Sequence, residues 1–341
     1  MKMKNNAMTA KAKAMYGERL TENDYQNLVN KNTIPEVVNY LKTETSYKDV
    51  LANVNENTIH RRELEERISI DVFNRFISLI KYDNSGNKFF SYIVVREEIA
   101  QILAVSRSID IQDNKKLIAG LPVYIISHMS FDIKKVASAK DYDTFLVYLK
   151  GTKYEKIVKK NIKNNELDYG KLEIDLEEYF SKFMNKLINK SGDVSSKKAL
   201  HDVFDKKAEL QNIAKIYRMK KFFNAGSEEI KRVLVDKYKK ISKKELYRLI
   251  DTCNSDEFLE EIAKGPYGNY FDINNFLYIE HSIQEVMFNI NKHNMYFGND
   301  PEVVMMAYIE LCKVELSNII EIIEGIKYRV NKGKITEMLI T

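Results

Sequence analysis

The chain has 341 residues, of which 44% are hydrophobic, and its 54 basic and 49 acidic side chains leave a net charge of +5. This composition excludes a disordered chain and a disulfide scaffold, since only Cys253 and Cys312 are present, and it suffices for two or three domains. No apolar run approaches the length of a membrane span, and no apolar segment follows the N-terminal lysines as in a signal peptide. We therefore expect a soluble, intracellular protein.

A capped helix opens the N-terminal part of the chain. Thr21 is a natural N-cap, and Asp24 lies three residues later, which approximates a capping box. Ser242 and Glu245 repeat this arrangement far downstream. The apolar positions that follow keep matching offsets, with Leu28, Val37 and Leu41 in the first copy and Leu249, Phe258 and Ile262 in the later one. Tyr47 and Tyr267 then correspond with one residue inserted in the first copy. Between them, Phe145, Leu149 and Tyr154 form a middle copy whose start has diverged.

One helical segment occurs three times at long intervals. The copies begin at Glu98, Glu209 and Glu315, which are separated by 111 and 106 residues. In the third copy, apolar residues at i, i+3, i+4 and i+7 form one face of a helix. This period is too long for one solenoid turn and has the size of a small domain. The sequence therefore predicts three related helical lobes over residues 1–117, 118–225 and 226–341.

Polar residues recur at fixed positions within these copies. Three residues after each glutamate comes an amide: Gln101, Asn212 and Asn318. Nine residues after it come Arg107 and Arg218, whereas the third copy has Glu324. We interpret the glutamates and amides as buried ties between helices in preference to a ligand site.

Catalytic and cofactor motifs are missing from the sequence. There is no phosphate-binding glycine loop, no nucleophile elbow, and no His or Cys spacing typical of a metal site. The sequence therefore predicts no catalytic, cofactor-binding or metal-binding residue. The short β-prone stretches at 92–95 and 123–126 are flanked by helical patterns, so we expect an all-α fold.

Basic residues cluster once, between Lys231 and Arg248. Eight basic side chains occur there against two acidic ones. A solvated helix surface is one explanation, and electrostatic contact with an acidic protein or lipid headgroups is the other. The candidate contact residues are Lys239, Lys240, Lys243 and Lys244.

The whole chain resembles the C subunit of the A-type and V-type rotary ATPases, the counterpart of the d subunit of the eukaryotic V-ATPase. The N-terminal stretches 10–15, 19–21, 25–28 and 41–47 are close to the opening pattern of that family. The family's repeated acid–Asn–Leu/Ile core with a trailing Arg matches 205–218 best and also matches 315–325. The first copy departs from it at Gln101, and the third lacks the arginine.

This resemblance implies a funnel of three helical lobes with pseudo-threefold symmetry and a non-catalytic rotor function without a cofactor. Its partners would be the central shaft, formed by the D and F subunits, and the membrane proteolipid ring, with one copy per complex on the cytoplasmic face. The complex would transport protons or sodium ions with ATP hydrolysis or synthesis. No nucleic acid partner is implied.

Two other functions are compatible with the sequence. A helical-repeat scaffold unrelated to rotary motors would share the composition but would not bind the shaft or the ring. A helical nucleic-acid binder would use the basic stretch and bind with a steep salt dependence. An enzyme is the least supported, because no convergent polar groups appear.

Overall fold

The computed structural model describes residues 6–82, 88–111, 121, 123–191, 194–268, 271 and 276–341. Of the residues that the structure describes, 74% are helical and almost none lie in strands, which confirms the all-α prediction. None of the described helices is both long enough and apolar enough to cross a membrane.

The described helices follow one another with short connections. The first five are α1 (Asn6–Gly17), α2 (Glu22–Val29), α3 (Ile34–Glu44), α4 (Lys48–Leu51) and α5 (Arg61–Ile80). Next come α6 (Ser91–Ile111), α7 (Val123–His128), α8 (Ile133–Ala137), α9 (Tyr142–Tyr148), α10 (Glu155–Lys160) and α11 (Tyr169–Lys190). The last are α12 (Val194–Phe223), α13 (Ser227–Arg232), α14 (Lys243–Thr252), α15 (Ser255–Lys264), α16 (Ile279–Phe297), α17 (Pro301–Lys327) and α18 (Lys332–Met338).

A short β-hairpin with two residues in each strand lies between α10 and α11. Strands β1 (Ile162–Lys163) and β2 (Glu166–Leu167) pair antiparallel across Asn164 and Asn165. Both asparagines have positive φ, 50° and 60°, as the tight hairpin turn requires. The β-prone stretches 92–95 and 123–126 lie in α6 and α7 instead, in keeping with the helical pattern around them.

Capping starts the helices as the sequence indicates. The Thr21 hydroxyl accepts a hydrogen bond from the backbone N–H of Asp24, whose carboxylate accepts one from the N–H of Thr21. This is a complete capping box at the start of α2. Ser242 caps α14 by accepting from the N–H of Glu245.

The described residues belong to two compact units. Unit 1 comprises Met1–Ser85 and Val194–Thr341, and unit 2 comprises Gly86–Asp193. The predicted boundary at 117/118 lies outside the described residues, and that at 225/226 falls between α12 and α13. The division into lobes 1–117, 118–225 and 226–341, and their pseudo-threefold arrangement, stay predictions.

Hydrophobic clusters show how the helices pack within each unit. In unit 2, one cluster joins α6 to the buried side chains of residues 131–176. In unit 1, one cluster joins α12 to residues 230–286, while another joins α17 and α18 to residues 20–68. In each cluster, a helix that carries the repeated glutamate packs on short capped helices and on the start of a long one. The last long helix, α17, thus packs on the N-terminal segment to form its hydrophobic cluster.

Candidate functional site

The three repeated glutamates all lie within long helices, namely α6, α12 and α17. The carboxylates of Glu98 and Glu209 are buried, whereas that of Glu315 lines a cavity. Carboxylates so enclosed require hydrogen-bond donors, because burying an unpaired charge is costly. Each glutamate has donors of the same two kinds, a tyrosine hydroxyl and a backbone N–H. We call these the glutamate–tyrosine ties.

In unit 2, Glu98 accepts a hydrogen bond from the Tyr154 hydroxyl at 2.6 Å. The backbone N–H of Ser130, just before α8, donates to the other carboxylate oxygen. The ammonium group of Lys153 lies 3.2 Å from the carboxylate and adds an ion pair. Glu98 therefore holds the connection before α8 and the segment before α10 against α6.

In unit 1, Glu209 accepts from the Tyr267 hydroxyl at 2.5 Å. The consecutive backbone N–H groups of Lys239, Lys240 and Ile241 also donate to it, at 2.7 to 3.1 Å. The carboxylate thus fixes the segment that leads into α14. Ile241 follows Glu209 by 32 residues, the interval that also separates Ser130 from Glu98.

The third tie joins the two ends of the described chain. Glu315 on α17 accepts from the Tyr47 hydroxyl at 2.5 Å and from the backbone N–H of Leu20 at 2.8 Å. Leu20 directly precedes the Thr21 cap, as Ile241 precedes the Ser242 cap. The third glutamate therefore bonds to the N-terminal copy of the capped segment, which lies nearly 300 residues upstream.

The amides differ between the copies. The Asn212 side chain donates to the carbonyl of Val235 at 2.8 Å and accepts from its N–H at 3.0 Å. Asn318 makes the same pair of bonds with Ile340, at 2.7 and 3.0 Å. Gln101 instead donates to Glu97 at 2.9 Å. Among the described residues, Gln101 does not make a two-sided bond to the backbone like that of the two asparagines.

The position nine residues after each glutamate contacts the start of a long helix. Arg107 donates to the Tyr169 hydroxyl at 2.8 Å at the start of α11. Arg218 forms an ion pair with Glu280 at 3.2 Å at the start of α16. In the third copy the charges are exchanged, because Glu324 pairs with Arg61 at 2.9 Å at the start of α5. The third copy therefore keeps an ion pair at this position, with the acidic residue on the long helix and the arginine on its partner.

The lysines of the basic stretch mostly have internal contacts. Lys239 and Lys243 lie 3.2 and 2.9 Å from Asp202 and Asp236. The ammonium group of Lys240 reaches the carbonyl of Pro266 at 3.5 Å and lies over the Tyr267 ring. Lys244 is exposed, and among the described residues it forms no ion pair. A contact of these four lysines with a partner stays a prediction.

Burial keeps the tyrosines protonated as donors. Desolvation, followed by the neighbouring glutamate, raises the pKa of Tyr47, Tyr154 and Tyr267 well above the usual range of a phenol. Burial also raises the pKa of Glu315, against the hydrogen bonds from Tyr47 and Leu20. With their oxygens occupied by fixed donors, these carboxylates are suited to joining segments of the chain.

A cavity of about 480 Å³ in unit 1 adjoins the third tie. It is lined by residues of α1, α2, the connection between them, α5, α16 and α17, including Tyr16, Arg19, Arg75, Lys292 and Glu315. Burial raises the pKa of the adjacent Cys312 thiol to about 12, so this cysteine is not a thiolate nucleophile at neutral pH. Across the described ranges, no three His, Cys, Asp or Glu side chains are placed to hold a metal ion.

Sequence reasoning singled out the glutamates but not their donors. The tyrosines were visible as recurring positions, and Tyr154 and Tyr267 follow their glutamates by similar intervals, 56 and 58 residues. That interval is the signal that could have paired them. Tyr47 could not be paired in this way, because it precedes Glu315 in the chain.

Comparisons with known proteins give a consistent result. A family model described as "ATP synthase (C/AC39) subunit" matches residues 8–338. The C subunit of the A-type ATP synthase from Thermococcus onnurineus (strain NA1) is 27% identical over 228 residues, which cover 66% of this chain and 59% of that protein. The corresponding protein of Desulfurococcus sp. (strain SY) is 26% identical over 232 residues, covering 66% and 60%. The chain thus spans about three fifths of the length of the curated relatives it matches.

Proposed function

The chain belongs to the ATP synthase (C/AC39) subunit family, and from this we propose that it is a non-catalytic rotor component of an A-type or V-type ATPase. It would couple the central shaft, formed by the D and F subunits, to the membrane proteolipid ring, with one copy per complex. It would associate peripherally with the cytoplasmic face of the membrane through that ring. The family match over residues 8–338 is the observation that carries this proposal.

The glutamate–tyrosine ties are consistent with a part that transmits force. A coupling protein must keep its shape while the shaft pushes on it, and buried charge-assisted hydrogen bonds between distant segments oppose sliding of helices. Glu315 bonds Leu20 and Tyr47, so the end of the described chain is joined to its beginning. The protein would therefore transmit torque as a set of cross-linked helices.

We also propose lobe boundaries that differ from those expected from the sequence. The contacts group each glutamate-bearing helix with the segment that supplies its tyrosine. One lobe would then span 88–191, one 194–297, and one would combine 301–341 with 6–82. Superposition of α6, α12 and α17, with their tyrosines, would test this relation.

Binding assays test the coupling function. The purified chain should bind the D–F shaft and, separately, the detergent-solubilised proteolipid ring, and it should not bind ATP. A complex assembled without the chain should hydrolyse ATP but not transport ions, and adding the chain back should restore ATP-driven ion uptake. If the chain bound neither the shaft nor the ring, a helical-repeat scaffold unrelated to rotary motors would be favoured instead.

A further inference from the structure

One end of unit 1 exposes an unusual number of large hydrophobic side chains. Phe222 and Phe223, at the C-terminal end of α12, are 71% and 75% exposed. Tyr328, just after α17, is 67% exposed. Leu277 and Tyr278, just before α16, are each 41% exposed. Large apolar groups that stay in water at several chain turns indicate a contact surface.

These turns lie at the same end of the unit. Arg218, near the end of α12, pairs with Glu280 at the start of α16. Helices α16 and α17 pack on each other and are joined by residues 298–300 alone, so the start of α16 lies beside the later part of α17. In keeping with this, the carboxylate of Glu321 adds to burial in raising the pKa of Tyr278. The C-terminal ends of α12 and α17 therefore both lie beside the start of α16. We call this surface, with residues 222–223, 277–278 and 327–334, the aromatic end.

The segment from the last residue of α17 to the first turn of α18 adds a strong positive charge. All eight residues from 327 to 334 are exposed, and they include four basic side chains and no acidic one. The basic residues are Lys327, Arg329, Lys332 and Lys334. Among the described residues, none of the four forms an ion pair, although Lys332 donates to the carbonyl of Asn30 and lies near Glu36. We call residues 327–334 the basic turn.

The corresponding connection after α12 lacks this charge. Residues 221–228 have one basic and one acidic side chain, and Lys221 pairs with Asp256 at 2.9 Å. Both connections have a residue in the left-handed region, Asn224 at φ 46° and Arg329 at φ 54°. They therefore share a backbone turn and exposed aromatic side chains, and the cations are an addition specific to the basic turn.

We propose that the aromatic end binds a membrane surface containing anionic phospholipids, with the basic turn contacting their headgroups. Exposed aromatic side chains beside unpaired Lys and Arg side chains are typical of proteins at the bilayer interface. A protein partner is less favoured, because three of the four cations of the basic turn are Lys, a residue that is depleted at protein–protein interfaces. The inference rests on the proposed function only in placing the chain beside a membrane.

Vesicle cosedimentation tests the proposal. The full chain should bind vesicles of phosphatidylcholine mixed with phosphatidylglycerol, more tightly at low salt than at high, and should bind pure phosphatidylcholine vesicles weakly. In the charge variant, Lys327, Arg329 and Lys334 are replaced by Gln, and Lys332 is kept because it bonds Asn30. The loss of three surface cations should weaken binding to anionic vesicles by on the order of 100-fold.

Matched variants distinguish an effect of this surface from the effect of losing charge or hydrophobicity elsewhere on the protein. Replacing Lys134, Lys135 and Lys140 by Gln makes the same charge change on exposed side chains of unit 2, and should leave more binding than the charge variant. Tyr328→Ser should weaken binding, whereas Val147→Ser, at a side chain that is 64% exposed in unit 2, should not. Unchanged far-ultraviolet circular dichroism would show that each variant is folded.

The outcomes also distinguish this proposal from the coupling function. Wild-type protein that ignores anionic vesicles but binds the solubilised ring would overturn the lipid contact and leave the coupling proposal intact. A charge variant that binds vesicles normally but loses the ring would assign the basic turn to a protein contact, which also overturns it. Binding to vesicles without any binding to shaft or ring would support the lipid contact and contradict the coupling function.

Discussion

Tyr47 and Glu315 are 268 positions apart in the chain and share a hydrogen bond of 2.5 Å. The same carboxylate accepts from the backbone N–H of Leu20, so α17 holds both ends of the N-terminal capped segment. Glu98 and Glu209 make the corresponding bonds to segments that follow them. One local arrangement is therefore repeated, although the third example is assembled from the two ends of the described chain.

Replacing a donor tyrosine by Phe should destabilise the fold more when fewer hydrogen bonds remain on its carboxylate. Tyr47→Phe leaves Glu315 with one hydrogen bond, from Leu20, and should cost about 1–3 kcal/mol of unfolding free energy. Tyr267→Phe should cost less, because three backbone N–H groups still bond Glu209. Urea unfolding measures both, with the exposed Tyr328→Phe as a control for loss of a phenol. Equal effects at all three positions would contradict the role of the ties.

The pH dependence of Glu315 gives a prediction with a definite sign. Burial raises its pKa above the usual 4.5, so folding favours the protonated form. Its contribution is fully present below pH 4.5 and is lost as the pH rises through the folded-state pKa. The wild-type advantage over Glu315→Gln should therefore be largest near pH 4 and decrease towards neutral pH, as measured by urea unfolding at each pH.

Glu310 on the same helix is the matched control, because its contribution to stability should change with pH in the opposite direction. Burial would raise its pKa, but Lys207 and Lys313 outweigh this effect and lower it to about 2. The contribution of Glu310 is present above its usual 4.5 and is lost as the pH falls towards 2. The wild-type advantage over Glu310→Gln should therefore increase with pH. If the wild-type advantage over both variants changed with pH in the same direction, titration of Glu315 would not explain the pH dependence.

The sequence predicted the helices better than it predicted their partners. Capping at Thr21 and Ser242, and the apolar stripe of α17, depend on neighbours within one or two turns and are readable locally. The pairing of Glu315 with Tyr47 depends on how distant segments pack, and periodicity carries no such information. The repeat gave equivalent positions, but a linear comparison could not show that the third helix packs on the N-terminal segment.

The paired bonds of Asn318 make it a sensitive position. Its side chain is buried and bonds both backbone groups of Ile340. Asn318→Leu should cost about 1–3 kcal/mol, because the Ile340 N–H and carbonyl would be left unsatisfied. Asn39→Leu, on the exposed side of α3, is the control and should be near neutral. An Asn318→Leu variant with an unchanged thermal midpoint would refute the structural role of this amide.

Gly325 permits a close approach of α18 to α17. A Cβ atom at this position would lie 2.5 Å from Cδ1 and 2.6 Å from Cγ1 of the buried Ile335, closer than these atoms can approach. Gly325→Ala should therefore overpack this core and cost about 1–3 kcal/mol, more than offsetting the better helix propensity of alanine. The test is a double-mutant cycle by urea unfolding. In an Ile335→Ala background the clash is absent, so Gly325→Ala should become neutral or stabilising. If alanine at 325 costs the same in both backgrounds, its effect does not arise from contact with Ile335.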